Sequence, residues 1–271
     1  MPAENALEGR SVSLAEALGR GPNSSQRLEV ASLYWKLSLA VADYHWALDE
    51  SLQLGSLPGN QGPVDAPLLA TAQAAAQARM LEAKAAAVTV QQELADALGQ
   101  PRQPLPLTVE QPLVGPYRTE FDSIFAGRPA PGRSRAIHRG LPHWREAIDL
   151  RTAALQAATS AVEAADAAYG QDKAGTETVL FAHRELVQQR RAFLNAVRAY
   201  NAEIVEYASY VAGPATSTAT IVSMLTRSKP VKTSSGSPPN TFGAANEPTV
   251  APTEDANVRP AGAEEAARDT Q

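Results

Sequence analysis

The chain has 271 residues, a formal net charge of −5 and no cysteine, which excludes disulfides, thiol nucleophiles and cysteine-ligated zinc and argues against a basic nucleic-acid surface. Hydrophobic residues make up 44% but aromatics only 6%. Much of the rest is alanine, which buries little area and is the best helix former, so the composition predicts an all-α chain of long helices in close contact.

Residues 1–24 read as a flexible N-terminal segment with one short helix at Ser13–Leu18. Its start, "MPAENALEGRSVSLAEALGR", lacks the basic opening and apolar run of a secretory signal peptide. No window reaches the ~18 apolar residues of a transmembrane helix. Asn23, Ser24 and Ser25 can cap a long helix that runs to about Ser56. Val30, Tyr34, Leu37, Val41, Tyr44 and Leu48 recur in steps of four and three, a heptad seam. "PGNQGPVDAP" (58–67) breaks that helix, and Pro67 suits the first turn of a second one, to about Leu98. The second seam is Ala76, Met80, Ala83, Ala87, Val90 and Leu94, whose small residues let helix axes approach closely. Residues 25–99 are therefore expected as a first antiparallel hairpin.

Residues 100–142 read as a proline-rich connector. Pro101, Pro104, Pro106, Pro112 and Pro116 oppose regular structure, a short helix is expected at Thr119–Phe125, and "GRPAPGRSRAIHRG" (127–140) reads as irregular and basic. A third helix is expected from near Pro142 to Tyr169, with Ile148, Leu155, Ala158, Val162, Ala165 and Tyr169 on one side. "GQDKAG" (170–175) reads as either a break or only a weak spot after it. A fourth runs from Thr176 to about Ala212, and Val179, His183, Leu186, Arg190, Phe193, Val197, Tyr200, Ile204, Tyr207 and Val211 share one heptad phase. Residues 143–212 make the second hairpin. "AVADY" (40–44) and "AVRAY" (196–200) echo each other and put a tyrosine on each seam. The uncharged stretch Tyr207–Thr226 reads as a helix end and a loop, and 213–271 as a disordered tail too poor in apolar residues to offset its ordering entropy.

Chemistry-bearing motifs are absent. None of His45, His138, His143 and His183 follows a Glu by three residues, and there is no H-E-x-x-H, phosphate-binding loop, dinucleotide fingerprint or nucleophile elbow. Asp43, Asp49, Glu203 and Glu206 have helix-surface spacing, Arg128, Arg133, Arg135 and Arg139 read as a solvated loop, and Trp35, Trp46 and Trp144 read as packing residues. His183 and Arg190 fall on the fourth seam, where they specify register or partner or line a wet interior, unless the seam bends away or they snorkel to water; bending away or snorkelling is the expectation. No catalytic, cofactor-binding or metal-binding residue is assigned, and the chain does not read as an enzyme.

The stretch "AYGQDKAGTETVLFAHRELVQQRRAFLNAVRAYNAEIVEYASYV" (168–211) resembles the closing helical segment of TolC-like outer-membrane efflux proteins. Tyr169 and Gly175 occupy the family's hairpin break. Leu186, Gln188, Gln189, Phe193, Tyr200, Asn201 and Tyr207 follow its return helix. "LEVASLYWKLSLAVADYHWALDE" (28–50) is similar to that family's helix opening with an aromatic pair, and Asp149 and Arg151 match its outgoing helix. The resemblance implies a homo-oligomer, a trimeric export duct at the outer membrane and periplasm, with a periplasmic adaptor and an inner-membrane pump as partners. The signature and seam residues are Tyr34, Tyr44, Tyr169, Gly175, Leu186, Phe193, Val197, Tyr200, Asn201, Ile204 and Tyr207. This chain departs from the family in lacking a signal peptide and alternating strands of the ~9–11 residues that span a membrane. The alternative is a non-conducting coiled-coil structural or adaptor protein of the cell envelope. An enzyme ranks third and requires a buried polar cluster built from several helices.

Overall fold

The computed structural model describes residues 7–58, 65–101 and 104–226. Contacts divide the chain into residues 1–233 and 234–271, and every element below belongs to the first part. In chain order these are β1 (Arg10–Val12), α1 (Leu14–Gly19), α2 (Ser24–Ser56), α3 (Asp65–Ala97), β2 (Pro106–Thr108), α4 (Phe121–Ile124), α5 (Gly132–Tyr169), α6 (Thr176–Val211) and α7 (Thr218–Thr226). The fold is all-α, built on two long helical hairpins, α2–α3 and α5–α6.

Local chemistry sets the helix ends. The Asn23 side chain accepts from the Gln26 N–H at 2.9 Å, satisfying one of the donors a helix start leaves free. α2 stops at Ser56, two residues before Pro58, because a proline disfavours helical geometry in the residue before it. Pro67 sits in the first turn of α3, where its missing N–H costs nothing. Gly99, at φ +69°, closes α3, and the Gln100 N–H reaches back to the Ala95 carbonyl at 2.9 Å.

The four long helices follow one another in space: α3 packs mainly on α2 and also touches α6, α2 packs on α6, and α6 on α5, which leaves the outer faces of α3 and α5 at the edges of this row. Neighbours run antiparallel, with levels fixed by Arg79 beside Glu50, Asp49 beside Arg190, and Asp166 beside His183. The end of α2, the start of α3 and the α5–α6 turn thus share one end, the tip. The strands, α1 and α7 gather at the other, the base. The core follows the heptads: Tyr34, Leu37, Tyr44, Leu48, Ala87, Leu94, Ile148, Leu155, Leu186, Val197 and Ile204 are all buried.

Several segments differ from the sequence reading. Residues 7–24 are structured: β1 pairs in parallel with β2, Arg10 opposite Pro106 and Val12 opposite Thr108. Pro106 is the first residue of its strand, where a missing donor is tolerated. Gly9 permits the approach, since a Cβ there would lie 2.6 Å from the Leu105 carbonyl oxygen. α5 starts at Gly132 rather than near Pro142, so "GRSRAIHRG" is helical and the second hairpin spans 132–211. Pro142 removes one helical bond, but Ser134, Ile137 and Leu141 are buried on the turns before it and hold the helix through. Thr218–Thr226 is the helix α7 rather than loop, and its Ile221 and Leu225 are fully buried at the contacts with α1 and α6. The expected disordered tail from Arg227 onward lies outside the described residues.

Candidate functional site

Three of the signature tyrosines, Tyr34, Tyr200 and Tyr207, and Asn201 converge on the backbone of the connector. Tyr34 Oη lies 2.9 Å from the Val12 carbonyl oxygen, meets the Glu110 carboxylate, and accepts from the N–H groups of Val109 at 3.0 Å and Glu110 at 3.2 Å. On α6, the Asn201 amide pairs with both backbone groups of Leu113, accepting from its N–H at 2.9 Å and donating to its carbonyl at 2.8 Å. Tyr200 Oη accepts from the Tyr117 N–H at 2.9 Å and donates to the Gly115 carbonyl at 2.8 Å. Tyr207 Oη donates to the Thr119 carbonyl at 2.8 Å. Pro112 and Pro116 deny this stretch a continuous ladder, so side chains of α2 and α6 satisfy it instead. Burial pushes the Tyr200 and Tyr207 hydroxyls up to about 12 and Tyr34 higher still, above the usual tyrosine range.

The other signature residues serve packing. Tyr44 is fully buried, with Lys84 Nζ 6.0 Å from its ring centroid. Leu186, Val197 and Ile204 fill the core, and Phe193 meets Trp46 at 6.1 Å between centroids. Tyr169 reaches Thr176 across the hairpin break at 3.5 Å. Gly175 is exposed and precedes α6 as its cap residue. The eleven do not form one pocket.

His183 and Arg190 do not snorkel to water, contrary to expectation. His183 is 2% exposed and its Nε2 lies 3.0 Å from Asp166 Oδ1. Arg190 donates to the Trp46 carbonyl at 3.1 Å and to Asp49 at 2.8 Å, with its guanidinium 5.6 Å from the Trp46 centroid. Both cross-link neighbouring helices. Among the described residues, no group of three or more His, Asp or Glu side chains could hold a metal ion, and no helix is long and apolar enough to cross a membrane.

The two edges of the row each carry a regular stripe of exposed apolar residues. On α3, Ala74, Ala78, Leu81, Ala85 and Val88 form an exposed stripe opposite the face that packs on α2. On α5, Leu150, Ala153, Ala157, Ala161 and Ala164 form a matching stripe opposite its buried side. Leu81 is 61% exposed and Leu150 67%. Sequence reasoning found the buried seams of these helices but missed their outer stripes. The signal was present, since alanine recurs at the same heptad spacing on both faces.

No protein-family model, no curated protein and no solved structure matches the chain.

Proposed function

We propose that the chain is a helical wall element of a TolC-like export duct, an assembly protein that conducts passively and carries no catalytic chemistry. The observation that supports this reading is the pair of apolar edges on α3 and α5. Exposed apolar surface of this regularity marks an interface. Two different edges meet head to tail, and such contacts close into a ring where the rotation between copies closes and run on as an open filament where it does not. Levels also agree across the row. Followed through Glu50–Arg79, Asp49–Arg190 and Asp166–His183, Ala85 on the α3 edge stands level with Ala153 on the α5 edge. The trimer, the outer-membrane and periplasmic location, and the adaptor and pump as partners follow from the resemblance of 168–211 and 28–50 to that family.

Light scattering of the full chain in buffer and in detergent tests the proposal. A trimer that appears in detergent or with membranes supports it, and a monomer in both overturns it. The second reading, a non-conducting coiled-coil scaffold, is favoured by one observation: β1 and β2 are three residues each, against the ~9–11 of a spanning strand. Trimers that give no conductance in a planar bilayer decide for the scaffold.

A further inference from the structure

Near the tip, α2, α3 and α6 part to leave a cleft of about 560 Å³, within the roughly 300–1,000 Å³ of small-molecule sites. Its walls are largely apolar, with Leu54 from α2, Leu68 and Ala75 from α3, and Leu180 and Val187 from α6. Its charges are mainly positive. The one acidic residue lining it, Glu50, is 4% exposed and already occupied by Arg79, whose Nε lies 3.2 Å from Oε2 and whose Nη2 meets Oε1. That pair is neutral as a unit. Arg184 and Arg191 also line the cleft, both at exposed positions. Asp43 feels the charge of Arg191 but does not line the cleft.

A third polar feature lies in the wall. His183 lines the cleft, its Nε2 is held by Asp166, and its buried Nδ1 has no hydrogen-bond partner among the described residues. A buried polar atom without a partner costs stability. With the Nε2–H given to the Asp166 carboxylate, Nδ1 is an acceptor, so its partner must be a donor such as water rather than an anionic head itself.

We infer that this cleft binds an amphiphile with an anionic headgroup, its hydrocarbon chain lying along Leu54, Leu68, Leu180 and Val187 and its head directed to Arg184 and Arg191. One chain builds the whole site, and the edge stripes take no part in it. The inference therefore stands or falls independently of assembly into a duct.

Calorimetric titration of the full chain with dodecanoate, below its micellar concentration, tests the site. The expected result is saturable binding of one dodecanoate per chain and none of dodecyltrimethylammonium. The double variant Arg184→Ala/Arg191→Ala should bind at least about tenfold more weakly, a loss of ~1.4 kcal/mol. Ala75→Trp, which fills the cleft from an exposed position, should abolish binding while circular dichroism stays unchanged. Absence of saturable binding overturns the inference, as does equal affinity for the cationic amphiphile or full binding by Ala75→Trp. Binding of an acidic amphipathic peptide that dodecanoate cannot displace also overturns it, in favour of a protein-docking groove.

Discussion

Asn201 of α6 holds Leu113 by both its backbone groups, at 2.9 and 2.8 Å, and donates to the Val197 carbonyl of its own helix at 2.9 Å. A side-chain amide thereby replaces the strand that Pro112 and Pro116 forbid. Asn201→Ala leaves the Leu113 N–H and carbonyl without their partners in a largely dry setting, and the expected loss is about 2–4 kcal/mol. Asn201→Asp keeps the acceptor but turns a carboxylate toward two carbonyls, so its loss should be at least as large. Urea denaturation measures both, and a loss for Asn201→Ala below about 0.5 kcal/mol contradicts the anchoring role.

The tyrosine anchors give the fold an alkaline limit. Burial pushes Tyr200 and Tyr207 up to about 12, whereas tyrosine in an unfolded chain ionises near ~10. The folded state holds these protons more tightly. Its stabilisation is therefore complete below pH ~10 and is lost as pH rises toward 12. Urea midpoints taken from pH 8 upward should fall above 10, and the fall should be shallower in Tyr200→Phe/Tyr207→Phe. Identical slopes in the two proteins would show that other groups cause it.

The helical architecture was legible in the sequence because burial follows a helical repeat from Leu28 to Leu54 in α2 and from Thr176 to Ala208 in α6. The parallel strand pair was not, since three residues carry no period and β1 finds its partner only across two long helices. The start of α5 was hidden by Pro142, whose local penalty gives way to Ile137 and Leu141 packing on either turn before it. The anchoring partners were hidden for a different reason. Val109, Leu113, Gly115, Tyr117 and Thr119 contribute backbone groups to these bonds, and no side-chain pattern reports which backbone groups a buried tyrosine will meet.

The Glu50–Arg79 pair should behave as a coupled unit. Glu50 is 5% exposed in its side chain and Arg79 28%. Removing only the cation, by Arg79→Met, strands a buried carboxylate and should cost about 2–4 kcal/mol at pH 8. Adding Glu50→Met should recover more than half of that loss. Losses that simply add in the double variant would mean the two groups do not depend on each other.

Charge on either edge should block assembly without disturbing the single chain. Leu81→Glu and Leu150→Glu alter exposed positions on opposite sides of the row, so monomer helicity and thermal midpoint should be nearly unchanged. Sedimentation should show each variant unable to self-associate at concentrations where the parent does. Parent-like association in both variants contradicts the edge-to-edge contact.

The absence of cysteine permits a direct test of the central claim, that the α3 edge of one copy meets the α5 edge of the next. Ala78→Cys and Ala157→Cys stand at comparable levels on the two edges. Oxidation of the double variant, read on a non-reducing gel, should give a ladder that ends at a closed trimer, and neither single variant should cross-link. Efficient dimer from either single variant, or no intermolecular disulfide in the double variant, contradicts the claim.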